Sequence, residues 1–288
     1  MDTVDTEVTR EGRLYRFVDT AGIRRKGKTN LVAEKLSVVM ARRGLERADV
    51  ALLVVDGEQG VTQGDAQIAN YAEQSGRSVI IVMNKWDLAV EAARKAAERD
   101  AATTKGKARR AANQEREDAR TGPGAGRPMS ELDKGKLLVD YEKMVREKLK
   151  FLSYAPIVFL SAQSGDRAAK LFPLIDLVAA ARRKRIATPE LNRWLKEDVD
   201  LQRGTTPKAR PVKIYYLTQA KTAPPTFLLF TNQKTPLHFS YERFLENQLR
   251  AKFDFPGAPV RFVQRMRKRD REREERGEQK RAKKEERD

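Results

Sequence analysis

Three apolar runs, each ending on a polar cluster, constrain this chain more than any other feature. Val50 to Val55 runs into Asp56, Val79 to Met83 into Asn84-Lys85-Trp86-Asp87, and Ile157 to Leu160 into Ser161-Ala162. Runs without polar alternation predict strands buried on both faces, the kind found in parallel sheets. Helical spacing over Asp65 to Ser75 and Leu137 to Leu152 separates them, so the pattern is strand, helix, strand with right-handed crossovers. In such open sheets ligands sit beyond the C-terminal strand ends, which is where the Asn84 and Ser161 clusters fall. Asn-Lys-x-Asp in that place suits a guanine base. The Asp87 carboxylate accepts from the ring N1–H and the exocyclic amine, Asn84 reaches N7, and the Lys85 stem covers the ring. Ser161-Ala162 offers a backbone N–H to the base oxygen.

A fourth signature lies upstream, where the hydrophobic run Leu14 to Val18 ends in Asp19-Thr20-Ala21-Gly22. Two readings compete for it. As Asp-x-x-Gly, the Asp19 carboxylate holds a magnesium ion through water and the Gly22 amide senses a γ-phosphate. Alternatively, Gly22 to Thr29 fits Gly-x-x-x-x-Gly-Lys-Thr, the pattern of a phosphate-cradling P-loop. The second reading leaves no Asp-x-x-Gly before Asn84 and crowds Arg24, Arg25 and Lys26 into the loop. Asp-x-x-Gly, Asn-Lys-x-Asp and Ser-Ala in that order, each after a strand, favour the first.

With its flanks, the sequence resembles the second GTPase domain and the C-terminal KH-like domain of the Der (EngA) family of double-GTPase ribosome-assembly factors. The resemblance is carried by DTAGIRRKGK (Asp19 to Lys28), NKWD (Asn84 to Asp87), SAQSG (Ser161 to Gly165), KIYYLTQ (Lys213 to Gln219), PPTFLLFTN (Pro224 to Asn232) and YERFLENQLR (Tyr241 to Arg250). It implies an α/β fold: a P-loop NTPase-like G domain lacking its N-terminal strand and P-loop, followed by a small α+β KH-like domain. The expected boundaries are 1–186 for the truncated GTPase domain, 187–266 for the KH-like domain and 267–288 for a charged tail.

The resemblance also implies GTP or GDP with Mg2+ as ligands, with K+ assisting the phosphate chemistry. The implied GTP-binding residues are Asp19, Thr20, Ala21, Gly22, Ile23, Asn84, Lys85, Trp86, Asp87, Ser161, Ala162 and Gln163, with Asp19 reaching Mg2+ through water. Ile23 stands where many GTPases place a water-orienting glutamine, and no residue is assigned a catalytic role. In the family, Asp2 to Thr6 would come directly after switch I. A chain starting there is expected to keep the base contacts and lose most phosphate contacts, since those come largely from the P-loop. Two functions therefore stand side by side: a GTPase of late large-subunit assembly whose GTP state repositions the KH-like domain, and a nucleotide-independent ribosome- or RNA-binding fragment.

Charge supports a polyanionic partner. The 288 residues carry a formal net charge of +18, which predicts salt-dependent attraction to nucleic acid. Between Arg203 and Lys268 thirteen Lys and Arg face three Asp and Glu, so a polyanion is expected to meet the C-terminal domain, and the resemblance implies that it is large-subunit ribosomal RNA. The order there reads helix (Pro189 to Asp198), strand (Val212 to Gln219), strand (Thr226 to Phe230), helix (Tyr241 to Lys252), strand (Val260 to Gln264). No Gly-x-x-Gly clamp for single-stranded backbone is visible. Tyr215, Tyr216, Phe227, Phe230 and Phe239 are candidates for base stacking, and strand alternation sends about half of such residues to the core. His238, the only histidine, reads as a loop residue.

Residues from about Glu91 to Lys136 hold twelve cations against eight anions and too few large apolar side chains for a core. They read as an insertion, either a basic linker or an RNA-contacting arm. The basic stretch Arg24 to Asn30 reads as mobile switch II, with its cations facing a partner. The absence of cysteine excludes disulfides and thiolate metal sites. No apolar run approaches membrane-spanning length and the acidic start lacks a basic, apolar leader, so a cytoplasmic protein with no membrane partner is expected.

Overall fold

The computed structural model describes residues 5–18, 44–96, 99, 131–197, 199 and 212–267. Contact clustering divides the chain into two compact units. One comprises Met1–Ala51, Ala72–Val79 and Ile175–Asp288; the other comprises Leu52–Tyr71 and Ile80–Leu174.

The apolar runs form the strands expected of them. Strands β3 (Val50–Asp56), β4 (Ser78–Asn84) and β5 (Ile157–Phe159) make a three-stranded sheet in the order β3-β4-β5. β4 pairs in parallel with β5, Ile81 opposite Ile157 and Met83 opposite Phe159. As the central strand, β4 is buried from Ser78 to Met83, which is why its sequence lacks polar alternation. Helix α1 (Gln63–Gln74) connects β3 to β4, α2 (86–96) leads away from β4, and α3 (Glu131–Lys148) precedes β5. α3 starts inside the segment expected to be an inserted linker, so that linker reaches no further than residue 130. Arg146 on α3 donates to the carbonyls of Leu152 and Ala155 at 3.1 and 2.6 Å, and Lys148 donates to Val61 O at 2.8 Å. These bonds satisfy loop carbonyls on the way into β5.

In the other unit, β1 (Asp5–Arg10) and β2 (Arg13–Val18) form the expected antiparallel hairpin about Glu11-Gly12. Tyr15 and Arg13 both hold Asp176 of helix α4 (Leu171–Arg183), at 3.0 and 2.7 Å. The C-terminal module then runs α5 (Thr188–Glu197), β6 (Ile214–Thr222), β7 (Pro225–Thr231), α6 (Phe239–Phe253) and β8 (Arg261–Met266), the expected α-β-β-α-β order. β6 and β7 are antiparallel, β7 and β8 parallel.

The core of this module is one apolar cluster. Leu191, Trp194 and Leu195 of α5 and Val199 beyond it are buried with Leu217, Phe227, Leu229, Leu245, Leu249 and Phe255. His238 is more than a loop residue: it caps α6, its Nδ1 accepting from the Ser240 N–H. At the start of α5, the Thr188 hydroxyl lies 3.1 Å from that of Thr218.

Arg182 and Arg183 stand in the last turn of α4, where cations favourably meet the helix dipole, and both also engage distant partners. Arg182 is buried and donates to Gly76 O at 2.6 Å, while Arg183 pairs with Asp49 at 2.9 Å. Burial lowers the Arg182 pKa from its ordinary value, with Arg77 nearby adding to the effect. Gly257 is the close approach of the same region. Its φ is +68°, its carbonyl accepts from Val79 N–H at 2.7 Å, and a Cβ there would lie 2.8 Å from both methyls of Val178. Only glycine combines that backbone conformation with that proximity. Among the described residues, no helix is long and apolar enough to cross a membrane.

Candidate guanine-recognition site

Parallel pairing of β4 with β5 brings the two predicted base-recognition clusters to one end of the sheet. The ladder does not stop at the strand ends. Leu160 N–H donates to Met83 O at 3.0 Å and Trp86 N–H to Leu160 O at 3.1 Å. Ala162 N–H then donates to the Asn84 side-chain oxygen at 2.9 Å. Asn84 and Ala162 lie 78 positions apart in the chain, yet one side-chain hydrogen bond closes the Asn-Lys-x-Asp loop onto the Ser-Ala loop. The Ala162 amide, expected to face the base oxygen, is in this geometry the clasp between the two loops.

The β3 end joins them. Gly57 N–H donates to Asn84 O at 2.7 Å, and a Cβ on Gly57 would stand 2.7 Å from that same oxygen. Lys85 has a left-handed backbone, φ 57°, which turns the chain out of β4. Its ammonium bonds the Asp56 carboxylate at 2.6 Å. That bond is the main reason the Asp56 carboxyl sits below the usual carboxylate range, with N–H groups of Glu58 and Gln59 adding to it against the cost of burial. The Lys85 ammonium is thereby held at the end of β3. A positive-φ residue other than glycine costs energy that the surrounding bonds must offset.

Trp86 contributes through packing. Its ring is buried, edge-on to Tyr141 at a centroid distance of 5.0 Å and tilted against Phe159 at 4.6 Å. It anchors the loop while its neighbours Lys85 and Asp87 remain exposed. Ser161 is buried as well, and its hydroxyl accepts from Ser164 N–H at 3.4 Å, shaping a turn from which Ala162 and Gln163 project into solvent. Asn84, Lys85, Asp87, Ala162 and Gln163 thus lie in a single loop cluster. The arrangement supplies a carboxylate acceptor, an amide side chain and an aliphatic cover, the set that a guanine base requires.

Both halves of the chain match known protein families. Residues 1–181 match the family model described as the elongation factor Tu GTP-binding domain, and residues 185–265 match the KH-domain-like C-terminal domain of EngA bacterial GTPase enzymes. The chain is 39% identical over 269 residues to GTPase Der of Ruminiclostridium cellulolyticum and 40% identical over 262 residues to GTPase Der of Moorella thermoacetica. These alignments cover 93% and 91% of this chain.

The chain belongs to the Der (EngA) family of GTPases. It spans about half the length of the curated relatives it matches, 52% and 50% of the two named above.

Of the residues that the family resemblance marks, Asp19, Thr20, Ala21, Gly22 and Ile23 lie outside the described residues, as do the switch cations Arg24, Arg25, Lys26 and Lys28. The predicted water-mediated Mg2+ ligand is therefore among them. Among the described residues, no group of three or more His, Asp and Glu side chains converges as a metal cluster. Asp56 and Gly57 are the participants that motif reading missed. The signal was available, because Asp56 ends β3 as Asn84 ends β4.

Proposed function

We propose that this chain is the nucleotide-sensing and RNA-facing part of a cytoplasmic GTPase of large-ribosomal-subunit assembly. Its strand-end loops bind guanine, a Mg2+-bound GTP or GDP completes the site at Asp19, and K+ assists phosphate chemistry. The basic KH-like domain meets ribosomal RNA. Binding and loss of the γ-phosphate bias a two-state arrangement of that domain. The observation that supports the nucleotide reading is the gathering of Asn84, Lys85 and Asp87 at one end of the sheet, with Lys85 braced by Asp56.

Calorimetry of GDP and GTP with the full chain, in magnesium and potassium, tests this reading. Asp87→Asn replaces a two-fold acceptor by a group with a donor facing the base. It is expected to weaken binding about tenfold to a hundredfold, the usual scale of a charged hydrogen bond lost. Equal binding of GTP and ATP by the unaltered chain would end the guanine reading.

One feature favours the second function, nucleotide-independent RNA binding. The Ala162 amide is already engaged by Asn84, so a base that needs this donor must first displace an existing bond. A folded chain with no detectable affinity for GDP or GTP supports that alternative and moves the search to the basic domain.

A further inference from the structure

Among the described residues, helices close one face of the β6–β7–β8 sheet, and the other is exposed at Tyr216, Val263 and Arg265. Leu217, Phe227 and Leu229 point into the helical core, each no more than 1% exposed. Residues directly opposite one another across a ladder share a face, so the register defines the outer surface. Its first row is Tyr216, Phe230 and Arg265; its second is Thr218, Leu228 and Val263; its third is Lys221, Thr226 and Arg261. Tyr216 and Val263 are 43% and 41% exposed, and the Tyr216 and Phe230 rings sit 5.7 Å apart.

Two irregularities in β6 build this surface. The register shifts between Ile214 and Tyr216, and again between Gln219 and Lys221. Each shift leaves one extra residue in β6, which re-aims the side chains beyond it. Ile214, Leu217 and Gln219 stay buried while Tyr215 and Tyr216, then Ala220 and Lys221, fall consecutively on the side away from the core. The Tyr215 ring lies beneath the Arg267 guanidinium at 4.0 Å and the Lys213 ammonium at 5.5 Å, each a favourable cation–π geometry.

The strands carry cations without acids. β6, β7 and β8 contain no Asp or Glu, whereas the helices over the opposite face mix Glu190, Glu197, Glu242 and Glu246 with Arg193, Lys196, Arg243, Arg250 and Lys252. Arg261 is tied to the carbonyl of Gln74, which leaves Lys221, Arg265 and the Tyr215-stacked cations as the phosphate-facing set. The outer edge of β6 is closed at Leu217, whose N–H and C=O both bond the Asn192 side chain at 3.0 and 2.9 Å. Strand addition at that point is blocked.

We propose that this outer sheet face is a stacking platform for single-stranded RNA. Unpaired bases lie on Tyr216 and Phe230, and the backbone runs past Arg265 toward the Tyr215 cation pair. The proposal rests on the reading of this domain as RNA-facing and gives that reading a surface. Single strands are required because only unstacked bases offer a free π-face to an aromatic ring.

The test uses the full chain and a fluorescein-labelled, mixed-sequence single-stranded oligoribonucleotide of about twelve nucleotides, within the usual site size. Replacing both rings, Tyr216→Ala with Phe230→Ala, is expected to weaken binding at least tenfold while leaving the salt dependence nearly unchanged, on the scale of base–aromatic stacking. A duplex of the same sequence should bind more weakly and ignore the substitutions. Affinity unchanged in the double variant but lost on Arg265→Gln overturns the platform and leaves the RNA-facing reading in place. No RNA binding by the unaltered chain overturns both.

Photocrosslinking of the unaltered chain to 5-bromouridine RNA does not depend on the variants folding. Adducts at Tyr216 or Phe230 support the proposal, and adducts confined to other elements overturn it. A dimer without RNA that the double substitution dissociates assigns the face to a second copy and likewise overturns it.

Discussion

The proposed guanine site and the proposed RNA platform are both built on strands, and they use the strands in opposite ways. At the ends of β3, β4 and β5 the strands stop, and the recognition groups hang on loops stitched by a few long-range bonds. On β6, β7 and β8 the strands continue, and the recognition groups are the side chains of the ladder itself. Loops allow groups of different chemistry to converge on one base at the cost of individual vulnerability. A ladder repeats similar groups at fixed spacing, so it suits a repeating polymer and tolerates single losses. One surface discriminates and the other holds.

The largest expected effect strikes the scaffold behind the sheet. Gly257→Ala places a methyl within 2.8 Å of Val178 and 2.9 Å of Val79 O at a φ of +68°. The loss of stability should be about 2–4 kcal/mol from combined strain and overpacking. Urea denaturation would read it as a lower midpoint without a change in slope. A neutral result would mean that Gly257 is not a packing constraint, and the contrast between a robust ladder and fragile loops would lose its footing.

Asn84→Ala comes next and sharpens the comparison. It removes the clasp to Ala162 and the side chain expected at N7 together, so stability should fall by about 1–2 kcal/mol while guanine nucleotide affinity falls further. RNA affinity should not change. If RNA binding weakened in step with nucleotide binding, the two surfaces would have to be treated as one site.

The smallest effect concerns the Lys85 brace. Asp56 titrates below its ordinary value when folded because Lys85 bonds its ionised form. Its stabilising contribution is therefore complete above the unfolded carboxylate pKa and is lost as pH falls through the lower, folded value. Asp56→Asn should cost at most about 1 kcal/mol near neutrality, as partly exposed pairs do. It should also flatten the acid limb of the stability profile measured by denaturation between neutral pH and the carboxylate range. An unchanged acid limb would show that Lys85 is not held through Asp56.

Much of this was legible in the sequence. The motifs lie where they were expected, at the ends of β4 and β5, because a buried parallel strand announces itself by an unbroken apolar run and ends where polarity returns. The α-β-β-α-β order of the C-terminal module emerged from periodicity in the same way. Local capping and electrostatics were less legible. The cationic end of α4 reads only as favourable charge at a helix C-terminus, and the Gly76 carbonyl that Arg182 also reaches lies more than a hundred positions earlier in the chain. His238 reads as a loop residue until its Nδ1 is seen against Ser240.

By itself, the sequence determined the chemistry available: an Asn-Lys-x-Asp loop, a Ser-Ala loop, a basic module free of acids on three strands, and the succession of elements that carries them. Tertiary structure alone decided which groups meet and which are free to act. It set the Ala162 amide against Asn84, Asp56 against Lys85, and Phe227 inside the core while Tyr216 and Phe230 lie on the open face. The physical reason is register. Apolar periodicity is a property of neighbouring residues, whereas pairing across strands and the two irregularities in β6 depend on partners distant in the chain.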